Sequence, residues 1–66
     1  MNVTVNGAQH EVETGSTLGE LIARLGVRRE GIAVARNDEV VARGAVDATP
    51  LQAGDTIEII AAVAGG

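Results

Sequence analysis

A chain of 66 residues with no Cys, no aromatic residue and one His has room for a single small domain. Without disulfides or a metal staple, that domain rests on aliphatic packing alone. Five Arg and no Lys against nine Asp plus Glu give a net charge of −4, and with no aromatic stacking platform this argues against nucleic acid as a partner.

Met1, Val3 and Val5 alternate with Asn2, Thr4 and Asn6, the period of a strand with one buried face. Asn6-Gly7 is a strong two-residue hairpin signal, because both central positions of a type I′ turn need positive φ. The return strand is expected over about Ala8 to Glu13, with Ala8, His10 and Val12 on one face and Gln9, Glu11 and Glu13 turned to water. After the Gly15-Ser16 break, Thr17 followed by Glu20 three residues later is a capping-box signature. Leu18, Leu21, Ile22 and Leu25 then form one apolar helical stripe, and Gly26 stands where a left-handed C-terminal cap belongs. Gly19 in the first turn works against this helix, so packing on a sheet has to stabilise it.

Ile32 and Val34 alternate with Ala33 and Ala35 as a third strand, and Asn37-Asp38 turns into a short strand around Glu39 to Val41. Residues 44 to 50 read as an irregular crossover, and Ala53-Gly54-Asp55 as the turn before Thr56-Ile57-Glu58-Ile59-Ile60, the clearest strand in the chain. The order is ββαβββ. A hairpin, one helix and further strands imply an α+β fold, a mixed β-grasp sheet packed on one helix with the first and last strands adjacent. Residues 1–60 are expected to form this domain and 61–66 a flexible C-terminal tail.

Within the domain no residue set suggests catalysis or metal binding. His10 reads as a packed or rim histidine. Asp38-Glu39, and Asp55 with Glu58, read as turn or solvent-face carboxylates, and Arg28-Arg29 as a solvated corner after the helix. No stretch is long and apolar enough to span a membrane, and Met1-Asn2-Val3-Thr4 does not begin a signal sequence, so a cytoplasmic location is expected. The tail is chemically distinct. Gly65-Gly66 has no Cβ to obstruct threading of the backbone through a narrow channel, so the Gly66 carboxylate could enter another protein's active site. An ionised carboxylate is inert to nucleophiles and needs activation, for instance as an acyl-adenylate made with ATP.

Asn6-Gly7, Thr17-Leu18, Ile32-Ala33-Val34-Ala35-Arg36-Asn37, Glu39-Val40-Val41, Pro50-Leu51, Gly54-Asp55, Ile57-Glu58-Ile59 and the Gly-Gly end together resemble the ThiS family, the ubiquitin-like β-grasp sulfur carriers of thiamine biosynthesis. The resemblance implies that Gly66 is adenylated and converted to a thiocarboxylate. Gly65 and Ala64 would give the tail access, and Ile60, Ala62 and Val63 would dock partners. It implies a ThiF-like adenylyltransferase, a ThiG-like thiazole synthase and a sulfur donor protein as partners. The carrier would hold no cofactor or metal of its own, ATP being used by the partner enzyme, and would be a monomer when free rather than an enzyme. The Val63-Ala64-Gly65-Gly66 ending is also similar to that of the small subunit of molybdopterin synthase, a second reading on the same fold. A ubiquitin-like protein modifier using the same carboxylate and a plain interaction module are further readings.

Overall fold

The computed structural model describes residues 1–61. β1 (Asn2–Val5) and β2 (Ala8–Glu11) form the first hairpin, α1 (Leu18–Leu25) follows, and β3 (Ile32–Arg36) and β4 (Glu39–Val40) form the second hairpin. A 3-10 helix over Arg43–Ala48 leads to β5 (Thr56–Ala61). The five-stranded sheet has the order β2-β1-β5-β3-β4, with β5 parallel to β1 and antiparallel to β3. This is the ubiquitin-like β-grasp layout, in which the first and last strands lie side by side.

Both hairpins turn where the sequence places them. Asn6 and Gly7 have φ of 48° and 85°, and Asn37 and Asp38 have φ of 51° and 70°, the left-handed values a type I′ turn demands. In α1 the Thr17 hydroxyl accepts from the Glu20 N–H at 3.2 Å, and the Glu20 carboxylate accepts from the Thr17 N–H at 2.8 Å, so the capping box closes in both directions. Gly26 ends the helix in the left-handed region at φ 74°. The N-terminus of α1 is further tied to the crossover, where the Leu18 N–H donates to Thr49 and the Leu51 N–H to Ser16.

One apolar core lies between the sheet and α1. Val3, Val5, Val34 and Ile57 from the sheet meet Leu18, Leu21 and Ile22 from the helix, and Val12, Val46 and Leu51 close the ends. His10 stands in register with Val3 on this inner side and is half-buried, a rim position.

Four local expectations are corrected. β2 stops at Glu11, where its partner strand runs out of chain: Val12, which is buried, exchanges hydrogen bonds with Met1 at 2.8 and 2.7 Å, and the residues after it have no partner in β1. Residues 43–48 are a 3-10 helix, and its Val46 plugs the core. Asp55 is buried rather than solvated: its carboxylate accepts from Arg36 Nε at 2.8 Å, Asn37 Nδ2 at 3.0 Å and the Gln52 N–H at 2.8 Å. Arg29 is not a free corner either. It forms a two-pronged pair with Asp47 at 2.6 and 2.9 Å and donates to the Gly19 carbonyl at 3.3 Å, joining α1 to the 3-10 helix.

Candidate functional site

β5 is the strand that leads to the residues singled out in the sequence. It alternates strictly. Ile57 is fully buried and Ile59 half-buried on the helix side, whereas Thr56, Glu58 and Ile60 point away from it. Ile60 is 59% exposed. Gly66, Gly65, Ala64, Val63 and Ala62 lie outside the described residues, so of the predicted site residues the structure places only Ile60.

Ile60 does not stand alone. The β3–β5 register sets it opposite Ala33, and the β3–β4 register sets Val40 opposite Ala35 on the same outer face. Val40 is 80% exposed. Ile60, Ala33, Ala35 and Val40 thus make an aliphatic patch on the open face of the sheet, interrupted by Glu58, which pairs with Ala35. Sequence reasoning missed Val40, although a two-residue turn at Asn37-Asp38 already fixes the Val40–Ala35 pairing and hence its face. Removing such side chains from water is worth about 25 cal/mol per Å², and that makes an exposed aliphatic patch on a small acidic domain a ready contact surface.

The end of β5 is held from both sides. On one side β3 pairs with it as far as Ala61, opposite Ile32. On the other side β1 turns away at Asn6, after the Asn6 N–H has donated to the Ile57 carbonyl at 2.9 Å. The Asn6 carboxamide then takes over: its Oδ1 accepts from the Ile59 N–H at 2.9 Å, and its Nδ2 donates to the Ile59 carbonyl at 3.1 Å.

The remaining surface offers no reaction centre among the described residues. A pocket of about 230 Å³ between α1, β3 and the residues after β4 is lined by aliphatic side chains including Ile22, Ile32, Val41 and Val46, with Arg29 and Arg43 as its charged groups. It contains no nucleophile and no general base. No group of three His, Asp or Glu among the described residues is arranged to hold a metal ion. Among the described residues, no helix is long and apolar enough to cross a membrane.

The perturbed carboxylates have structural partners. Burial works to raise the Asp55 carboxyl, but the donors from Arg36, Gln52 and Asn37 outweigh it and hold the group below the ordinary carboxylate range. The exposed Asp47 carboxyl is lowered mainly by its hydrogen bonds from Arg29, whose guanidinium is raised in return.

Comparisons with known proteins agree with one another. The model of the ThiS family matches residues 3–66. A sulfur carrier protein ThiS from Thermus thermophilus is 38% identical over 64 residues, spanning 97% of this chain and 98% of that protein. A thiazole synthase from Magnetococcus marinus is 42% identical over the whole of this chain, and one from Paramagnetospirillum magneticum is 32% identical. The chain spans only 20% of the length of each of those two synthases. The crystal structure of a thiamine biosynthesis protein (ThiS) from Geobacter metallireducens superposes with a TM-score of 0.84 at 38% identity, over the full length of both chains.

Proposed function

The chain belongs to the ThiS family, and on that premise we propose that it is a sulfur carrier of thiamine biosynthesis whose working group is the Gly66 carboxylate. The observation that carries the reading is the match to a sulfur carrier protein over 97% of this chain and 98% of that protein, together with a family match that runs through Gly65-Gly66. The domain itself is a handle, a co-substrate acted on by other proteins, with no reacting group of its own.

The chemistry follows from the carboxylate. One Gly66 oxygen attacks the α-phosphate of ATP in an adenylyltransferase and expels pyrophosphate, leaving an acyl-adenylate. Sulfide-level sulfur, HS⁻ set free from a donor protein, attacks the acyl carbon, expels AMP and loses its proton, so that a C–S bond replaces the C–O bond to AMP and the product is a thiocarboxylate. That group then gives up its sulfur in thiazole formation. Gly65 and Ala64 leave the approach to the acyl carbon unobstructed, because neither carries a side chain beyond Cβ. Ile60, with Ala62 and Val63 beyond it, docks the partner, and the structure of β5 supports this by turning Ile60 outward into an aliphatic patch.

Thiazole synthase is the natural acceptor enzyme. Two thiazole synthases carry a segment similar to this whole chain within their own sequence, which supports a working association of the two units.

The test is intact mass. Incubation with an adenylyltransferase of the family, ATP and a sulfur donor is expected to add the mass of one oxygen-to-sulfur exchange, located by fragmentation at Gly66. An unchanged mass with an enzyme that loads another carrier refutes the proposal. Supplying the loaded protein to thiazole synthase and, separately, to the large subunit of molybdopterin synthase distinguishes the two pathways, with turnover expected only in the first.

A further inference from the structure

We infer that Asn6 is a positioning residue for the carrier function: its carboxamide pins Ile59 to the end of β1 and so fixes the last stretch of pairing in β5, the strand that precedes Gly66 in the chain. The inference rests on the function proposed above.

The argument begins with a mismatch in strand length. β1 and β5 run parallel, but their backbone pairing ends at Val5 and Ile57, because β1 enters its hairpin turn at Asn6. β5 continues through Glu58, Ile59, Ile60 and Ala61 with β3 as the one strand beside it among the described residues. Held on one side only, those four residues would fray in the way an exposed strand end does. The Asn6 side chain substitutes for the missing strand. Its amide presents the same acceptor and donor as a peptide group, and both bonds are made to the same residue, Ile59.

Few other residues can do this. At φ 48° the position tolerates Gly, Asn and Asp, and disfavours residues with bulkier or branched side chains. Gly supplies no amide, and Asp supplies the acceptor but, when ionised, no donor for the Ile59 carbonyl. Asn meets the conformational and the hydrogen-bonding requirement together. The consequence is for binding. A carrier whose β5 end is already ordered meets the adenylyltransferase in its competent form, whereas a frayed one binds with an affinity reduced by the fraction of molecules correctly arranged.

Two variants separate the clamp from the turn. Asn6→Gly preserves the type I′ turn, since Gly is at home at positive φ, and removes only the side-chain bonds. Asn6→Asp keeps one bond and sets a carboxylate against the Ile59 carbonyl. Thr17→Ala serves as a control that weakens the fold at α1 without touching β5.

Amide hydrogen exchange on the free protein is the first readout. The Ile59 N–H is expected to lose roughly threefold to tenfold in protection in Asn6→Gly, the net worth of about one hydrogen bond, while the Thr4 amide in β1 keeps its wild-type value. In Asn6→Asp, protonating the carboxyl at low pH supplies a donor again and partly restores Ile59 protection relative to Asn6→Gly. In ATP-dependent loading, Asn6→Gly is expected to raise the KM for the carrier by up to about twofold, because KM follows the inverse of the ordered fraction rather than the protection itself, and to leave kcat unchanged, with no such split in Thr17→Ala. Unchanged Ile59 protection, or a wild-type KM in Asn6→Gly, overturns the inference. Failure of the wild-type protein to be loaded refutes the sulfur-carrier reading instead, and the exchange experiment still decides whether the clamp exists.

Discussion

At the scale of single residues, the two least expected positions are Asp55 and Gly19. Asp55 is 4% exposed yet charged, and it is held so by three donors that join β3, the Asn37 turn and the start of β5. Its lowered folded value gives the sign of the pH effect. The carboxylate contributes stability in full above the unfolded carboxyl range, near about pH 4, and that contribution is lost as pH falls through the lower folded value. Asp55→Asn is expected to cost on the order of 2–3 kcal/mol at neutral pH, because it breaks a largely buried pair with Arg36 and leaves a donor facing donors. It should also flatten the acid limb of stability against pH, and denaturant titrations from pH 2 to 7 check both effects. Gly19 looks like a helix defect, and by propensity alone Ala would gain up to about 1 kcal/mol. A Cβ there would instead collide with the Asp47 carboxylate and the Arg29 guanidinium and lie 3.1 Å from the Asp47 Cα. Overpacking of this kind costs about 1–3 kcal/mol, so Gly19→Ala is expected to lower rather than raise the midpoint of chemical denaturation.

At the scale of elements, what was legible in the sequence is what local chemistry decides. Thr17, Glu20 and Gly26 announced both ends of α1, and the two positive-φ turns announced both hairpins. An isolated eight-residue helix is marginal in water, and the capping box satisfies donors that would otherwise lack partners. Thr17→Ala is therefore expected to lower stability by about 1 kcal/mol, read as a fall in the thermal midpoint of about 4–8 °C. What was not legible depends on contacts distant in sequence. The 3-10 helix over Arg43–Ala48 has no side-chain cap at its N-terminus and no periodic stripe, and it is placed by Val46 entering the core and by Arg29 reaching Asp47. The burial of Asp55 depends on Arg36, nineteen residues away, and the second role of Asn6 depends on Ile59, fifty-three residues away. Asn6-Gly7 was read correctly as a turn, but nothing local in it states that the amide also completes β5. Of the candidate site, the outward face of Ile60 follows from alternation along the strand, whereas its continuity with Val40 needs the pairing register.

At the scale of the whole molecule, stability and chemistry are assigned to different parts of the chain. Every buried core residue among those described lies between Val3 and Ile57, and none of the side-chain hydrogen bonds described above reaches beyond Ile59. A chain shortened by deleting Gly65 and Gly66 is therefore expected to unfold within about 0.5 kcal/mol of the intact protein, while its capacity to take up sulfur disappears with the reacting carboxylate. Docking divides from both. Ile60 is 59% exposed, so replacing it with Thr, another β-branched residue, leaves the sheet geometry and the folding free energy nearly unchanged. What it removes is aliphatic area from the outer face. If a partner covers that patch, the loss is worth about 1–2 kcal/mol of binding, roughly fivefold to thirtyfold in the KM of the adenylyltransferase for the carrier, with kcat retained because Gly66 still reaches the nucleotide once bound. The diglycine deletion and Ile60→Thr should then separate cleanly in a steady-state loading assay, the first abolishing kcat and the second raising KM, and denaturation curves of both should overlay the wild type. An Ile60→Thr protein loaded with the wild-type KM would remove the outer face of β5 from the docking surface and leave the terminal residues to make the encounter alone.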